Sequence, residues 1–154
     1  IPVALILLGF QTYTGIQDFL FFKNQRQTAL FFTKEEFDLA AQFRGLRHSP
    51  DSLVLIAPKH NHWIPALAGN PVLMGYPGWL WTWGIAYSSP GSEVDEVLLG
   101  GAHTQELLSK YPVEYIVVNN DDMVGKQPVA IDYVLAHYPV LMEHGAWHVF
   151  AIKK

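Results

Sequence analysis

His60-x-His62 is the spacing in this chain that most invites chemistry. In an extended segment, residues two apart point to the same face. Two imidazoles so placed could begin a metal site, with His103, His144 or His148 as a third ligand. They read first, however, as hydrogen-bonded structural residues or contacts to a ligand. No carboxylate lies between His60 and Ser92, so the metal reading lacks a nearby anionic ligand. Other reaction types leave no trace. Gly75-Tyr76-Pro77-Gly78-Trp79 is not a serine nucleophile elbow. No glycine pattern fits a dinucleotide or phosphate loop. No carboxylate pair has a recognisable glycosidase spacing. Asp121-Asp122 could hold a divalent cation but reads first as a solvated acidic turn. We expect no metal and no cofactor.

The two histidines open a segment of unusual composition. From His60 to Ser92 there is no Asp, Glu, Lys or Arg, and four of the five tryptophans lie there: Trp63, Trp79, Trp81 and Trp83. Prolines and glycines interrupt it too often for a long helix or a membrane span. It reads as a shaped loop system whose polar handles are His60, Asn61, His62, Tyr76 and the indole N–H groups. Buried indoles and imidazoles need partners, so their surroundings must be specific. Tryptophan faces stack on sugars and nucleobases and also favour membrane interfaces. Core or domain-interface packing is the plain alternative.

The whole chain narrows these options. Its 154 residues suffice for one domain with a real core. Only 16% of them are charged, against a usual share of roughly 25%. Some surface is therefore expected to be covered by a partner, a membrane or another part of the same polypeptide. Net charge is −4 with no basic cluster, which argues against nucleic acid. There are no cysteines, so thiol catalysis, zinc–cysteine sites and disulfides are excluded, while the compartment stays open.

The elements that must position these residues follow from local signals. Thr33-Lys34-Glu35-Glu36 is a capping box, and a helix is expected from there to about His48. Ser49-Pro50-Asp51-Ser52 is turn chemistry, and Ser52 to Ala57 is expected as a strand buried on both faces. Gly69-Asn70-Pro71 turns the chain into a short strand, Val72 to Met74. A short helix is expected from Trp79 to Tyr87. Ser92 is expected to cap a helix from Glu93 to Leu99, with Gly100-Gly101 as its stop. Another short helix follows from His103 to Lys110. Val113 to Asn119 is a buried strand. Pro128 is expected in the first turn of a helix to His137. Tyr138 to Glu143 and Ala146 to Ile152 are expected as a hairpin through His144-Gly145. The resulting fold class is α/β: a single-domain layered sandwich, its mixed β-sheet flanked by helices and ending in an antiparallel strand pair.

The chain opens on Ile1, so a processed product or an excised piece is expected. Residues 1–32 are set apart from an α/β domain at 33–154. Ile1 to Phe10 reads either as a buried strand or as the last turns of a membrane helix; ten residues are too few to span a bilayer. Phe19 to Phe22, next to Lys23 and Arg26, suits a membrane interface or a connector packed on the core.

From Thr33 to Asn119 the order is a capped helix, SLVLIAPKHNH, PALAGNPVLMGYPGWLWTWGIAY, a helix and YPVEYIVVN. This resembles the C-terminal extracytoplasmic domain of polytopic membrane proteins of the glycosyltransferase C superfamily. Members show a histidine-asparagine-histidine step, an "ALAGR"-like turn and a "GYPGWLW" signature; here Asn70 stands where the arginine is expected. The segment is more distantly similar to the soluble domain of oligosaccharyltransferase catalytic subunits. The Trp-Trp-Asp-Tyr-Gly motif of those proteins is absent, so acceptor-peptide recognition is not carried over.

The resemblance implies a domain outside the cytoplasm, beside the membrane, whose partner is the transmembrane portion of the same polypeptide. It also implies a parent enzyme that uses polyprenyl-phosphate sugars. The catalytic acidic residue of such enzymes lies between membrane helices, so no turnover is expected from this chain alone. His60, Asn61, His62, Tyr76, Trp79 and Trp81 are expected to help recognise a lipid-linked sugar or a glycan acceptor. The rival readings are a purely structural interaction module of a membrane protein and a metal-dependent hydrolase using His60 and His62.

Overall fold

The computed structural model describes residues 13, 16, 17 and 32–152. The chain divides into two units, Ile1–Phe32 and Thr33–Lys154. The expectations for Ile1 to Phe10 and for Phe19 to Phe22 fall outside the described residues. Among the described residues, no helix is long and apolar enough to cross a membrane.

The second unit is an α/β fold. Its helices are α1 (Lys34–Arg44), α2 (Pro77–Thr82), α3 (Ser88–Leu98), α4 (Thr104–Lys110) and α5 (Ile131–His137). Its strands are β1 (Leu53–Ile56), β2 (Val113–Asn119), β3 (Met123–Val124), β4 (Gln127–Pro128), β5 (Val140–His144) and β6 (Trp147–Ala151). Four strands form one mixed sheet in the order β1-β2-β6-β5. β1 and β2 run parallel, with Ile56 opposite Val117. β2 pairs antiparallel with β6, and β6 with β5. The two-residue strands β3 and β4 make a separate antiparallel ladder.

Alternation along the strands sends side chains to two apolar layers. Leu55, Ile116, Val118 and Phe150 pack in one cluster with Val94, Val97, Leu98, Leu108 and Val134 from α3, α4 and α5. On the other side, Phe43 of α1 meets the Tyr115 ring edge-on at 5.4 Å and the Trp63 ring at 5.7 Å. The sheet thus lies between α1 with its neighbouring loop and the α3–α5 layer. Lys110 of α4 pairs with Glu93 of α3 at 2.6 Å, tying those helices together. The outer edge of β1 is covered by the chain after Gly69-Asn70-Pro71. There Val54 N–H donates to Pro71 O, and Leu73 N–H donates to Val54 O, which removes an open strand edge.

Several boundaries differ from expectation, each for a local reason. The capping box at Thr33 forms as read, but α1 ends at Gly45 rather than near His48. Ser92 does not cap α3. The helix begins four residues earlier at Ser88, and the Ser92 hydroxyl bonds back to Ser89 O within it. Pro128 does not open a helix. It sits in β4 opposite Met123, an edge position where its missing N–H costs no ladder bond. The last hairpin turns at Gly145, whose φ of 58° suits glycine.

Candidate functional site

β1 delivers the chain at Pro58 into the loop that carries the two histidines. His60 and Asn61 form a bend, and a single wide helical turn follows at Ile64–Ala68. The bend breaks the extended geometry on which the same-face reading of His60 and His62 depended. The two imidazoles part company as a result.

His60 is exposed and joins an aromatic cluster with α2. Its ring meets Trp79 at 4.9 Å and Tyr76 at 5.3 Å, both edge-on, and Tyr76 meets Trp79 at 6.2 Å. A ring nitrogen of His60, Nδ1, lies 2.9 Å from Asn61 Oδ1. Pro77 occupies the first turn of α2. Gly78 permits the cluster, because a Cβ there would stand 2.5 Å from the Tyr76 ring. Along the same helix end, Trp79, Trp81 and Trp83 are 52%, 73% and 81% exposed. Of the six residues expected at a recognition surface, five thus lie on the His60–Asn61 bend and on the α2 turn from Tyr76 to Trp81.

His62 is the exception. It is 2% exposed, stacks on Trp63 at 5.9 Å and meets Trp147 of β6 edge-on at 5.2 Å. Its Nδ1 accepts a hydrogen bond from Ile64 N–H at 3.1 Å, so the side chain holds the following turn in place. Burial, and then the neighbouring Lys59 charge, hold its pKa well below 6.5. Trp63 likewise belongs to the core, with no exposed surface. Among the described residues, no group of three His, Cys, Asp or Glu is placed to hold a metal ion.

A stability consequence follows from His62. The folded state keeps this ring neutral, whereas the unfolded chain protonates it below about pH 6.5. The unfolded state then binds the extra proton, so stability is full above that pH and declines as pH falls below it. Urea unfolding at pH 7.5 and 5.5 should differ by about 1 kcal/mol per pH unit below the unfolded pKa. His62→Phe should flatten this dependence. An identical acid loss in the variant would show that His62 is not its source.

Sequence reasoning passed over a second feature. A crevice of about 580 Å³ opens where β1 and β2 end, walled by Glu35, Lys59, Asn119, Asp121, Asp122 and Trp147. This is the carboxyl edge of the parallel pair, the usual place for a crevice in such sheets. Lys59 Nζ lies 2.9 Å from Asp122 Oδ1 and 4.3 Å above the Trp147 ring. Asp122 Oδ2 accepts from Asn119 N–H at 2.8 Å. Asp122 is therefore a buried, paired anion and not part of a solvated acidic turn; only Asp121 has that character. The signal for this pairing was faint, since Lys59 and Asp122 lie far apart in sequence and meet only through the β1–β2 register.

No protein-family model matches the sequence, and no curated protein matches it. A solved structure does share the fold: the C-terminal globular domain of an oligosaccharyltransferase from Archaeoglobus fulgidus. The TM-score is 0.57 at 13% identity, over 80% of this chain and all of that one. At this identity the likeness establishes the α/β fold.

Proposed function

We propose that this chain is an extracytoplasmic domain of a membrane glycosyltransferase-like protein, and that its exposed aromatic edge helps recognise a lipid-linked sugar. The observation that carries the reading is the His60–Tyr76–Trp79 cluster, with His60 and Trp79 exposed and Tyr76 half-buried, on a stretch without a charged side chain. The similarity of the fold to an oligosaccharyltransferase C-terminal domain supports it. Indole faces stack on sugar rings, while the His60 imidazole, the Asn61 amide and the Tyr76 hydroxyl are donors and acceptors for sugar hydroxyls. Trp81 extends the apolar edge for the isoprenyl part. His62 serves from the core side, by fixing the loop that presents His60. Lys59, the nearest cation in sequence, is engaged by Asp122. Recognition therefore falls on the sugar and the lipid more than on the phosphate, and catalysis falls to the membrane portion of the parent.

Titration of the chain with a farnesyl-phosphate hexose tests the reading. His60→Ala and Trp79→Ala are each expected to weaken binding at least tenfold without lowering the melting temperature, because both side chains are exposed. Undiminished binding in both folded variants would reject this surface. The hydrolase alternative loses its geometric basis with His62 in the core.

A further inference from the structure

The end of α2 is closed on itself. Gly84 takes a left-handed φ of 67°. Its N–H donates to Trp81 O at 3.0 Å, and Ile85 N–H donates to Leu80 O at 2.9 Å. This pair of bonds is the Schellman closure, which satisfies the last carbonyls of a helix. Trp83 N–H donates to Trp79 O at 3.0 Å, and the Thr82 hydroxyl to Gly78 O at 2.8 Å. A turn that projects its side chains into solvent has thus paired these backbone groups internally. Yet those side chains are apolar: Trp81 and Trp83 are largely exposed, and Ile85 is about half exposed. Among the described residues, neither of the two indoles stacks on another ring.

An element entering a low-dielectric layer must satisfy its own backbone and bring no charge. This turn meets both conditions, and tryptophan is a residue type that favours the bilayer interface. A second copy of the chain is a poorer occupant. Three tryptophans at these exposures offer roughly 300–500 Å², taking 150–250 Å² for a fully buried aromatic. A stable interface needs about 800 Å² per partner. We infer that Trp81, Trp83 and Ile85 form a wedge that enters the headgroup–acyl boundary of a lipid bilayer. This goes beyond sugar recognition, since it requires only lipid. The net charge of −4 and the absence of Lys and Arg from residues 60–92 leave no electrostatic attraction to anionic lipid. The wedge therefore suits a zwitterionic surface, and its insertion is insensitive to salt.

The absence of cysteines allows a site-specific test. Ala86→Cys, beside the wedge, and Ala136→Cys on α5 each receive a polarity-sensitive fluorophore, and the whole chain is mixed with phosphatidylcholine vesicles. The label at 86 is expected to shift blue while the label at 136 stays in water, with the same result at low and high salt. Adding Trp81→Ser and Trp83→Ser together should abolish the shift at 86 while the melting temperature stays within a few degrees. Equal shifts at both labels, a shift that survives the double substitution, or no shift in the parent chain would each overturn the wedge. A shift at 86 that depends on protein concentration without vesicles would show self-association instead, and would overturn it as well. The soluble farnesyl-phosphate hexose reports on sugar recognition separately, so either reading can fail without the other.

Discussion

Trp63→Ala is expected to destabilise the fold by about 3–5 kcal/mol. The Trp63 side chain is fully buried and joins three elements. It meets Phe43 of α1 edge-on at 5.7 Å and Trp147 of β6 edge-on at 5.7 Å, and it lies nearly parallel to the His62 ring. Truncation removes the apolar contacts and leaves a cavity that α1 and β6, held elsewhere, can only partly close. Edge-to-face pairs of this kind contribute about 0.5–1.5 kcal/mol beyond area. For a domain of about 5–15 kcal/mol total stability, the loss is a large fraction. Trp83→Ala, on the exposed end of α2, is expected to change stability by about 0.5 kcal/mol or less. Urea unfolding of the two variants separates core from edge tryptophans. Equal effects would contradict the division of the tryptophan-rich segment into a core part and a surface part.

Asp122→Ala comes second, at about 2–3 kcal/mol. Its carboxylate is almost wholly buried and holds both the Lys59 ammonium and the Asn119 N–H. Removing it leaves Lys59 packed over Trp147 without a counter-charge and strands a backbone donor. A fully buried pair would cost about 3–5 kcal/mol to break. Lys59 keeps about a third of its side chain in solvent, which lowers the figure. Asp122→Asn retains an acceptor for Asn119 N–H and should cost less. Lys59→Met combined with Asp122→Ala should recover part of the loss, since the uncompensated cation is gone. A double variant no more stable than the additive sum of its parts would show that the ion pair does not hold the loop.

The fold was legible where local signals and burial agreed. Val113 to Asn119 carries three valines and an isoleucine, and it forms β2 with those bounds. The Thr33 capping box forms with both reciprocal bonds. The Gly145 hairpin likewise follows from its turn chemistry. Failure came where a tertiary contact outweighed the local cue. Ser92 has the composition of a cap, but Gly91 is buried so close to Met74 that a Cβ there would stand 3.3 Å from its Cε, and the helix extends past both residues to Ser88. The stretch holding His60, Asn61, Tyr76, Trp79 and Trp81 was legible as uncharged and aromatic-rich, a composition that also supplies core residues such as Trp63. The inward turn of His62 was not. It depends on the bend at His60–Asn61 and on Ile64 N–H finding the imidazole, neither of which a two-residue period can express. The Lys59–Asp122 pair depends on strand register, which sequence spacing hides.

Recognition by the exposed aromatic edge is tested most directly by following the five tryptophan indole N–H signals in a two-dimensional NMR spectrum during titration with the farnesyl-phosphate hexose. The expected result is that the Trp79 and Trp81 signals move saturably while those of the buried Trp63 and Trp147 stay in place, and that His60→Ala weakens the effect at least tenfold. Indole signals that all remain still, or a response confined to Trp63 and Trp147, would contradict it.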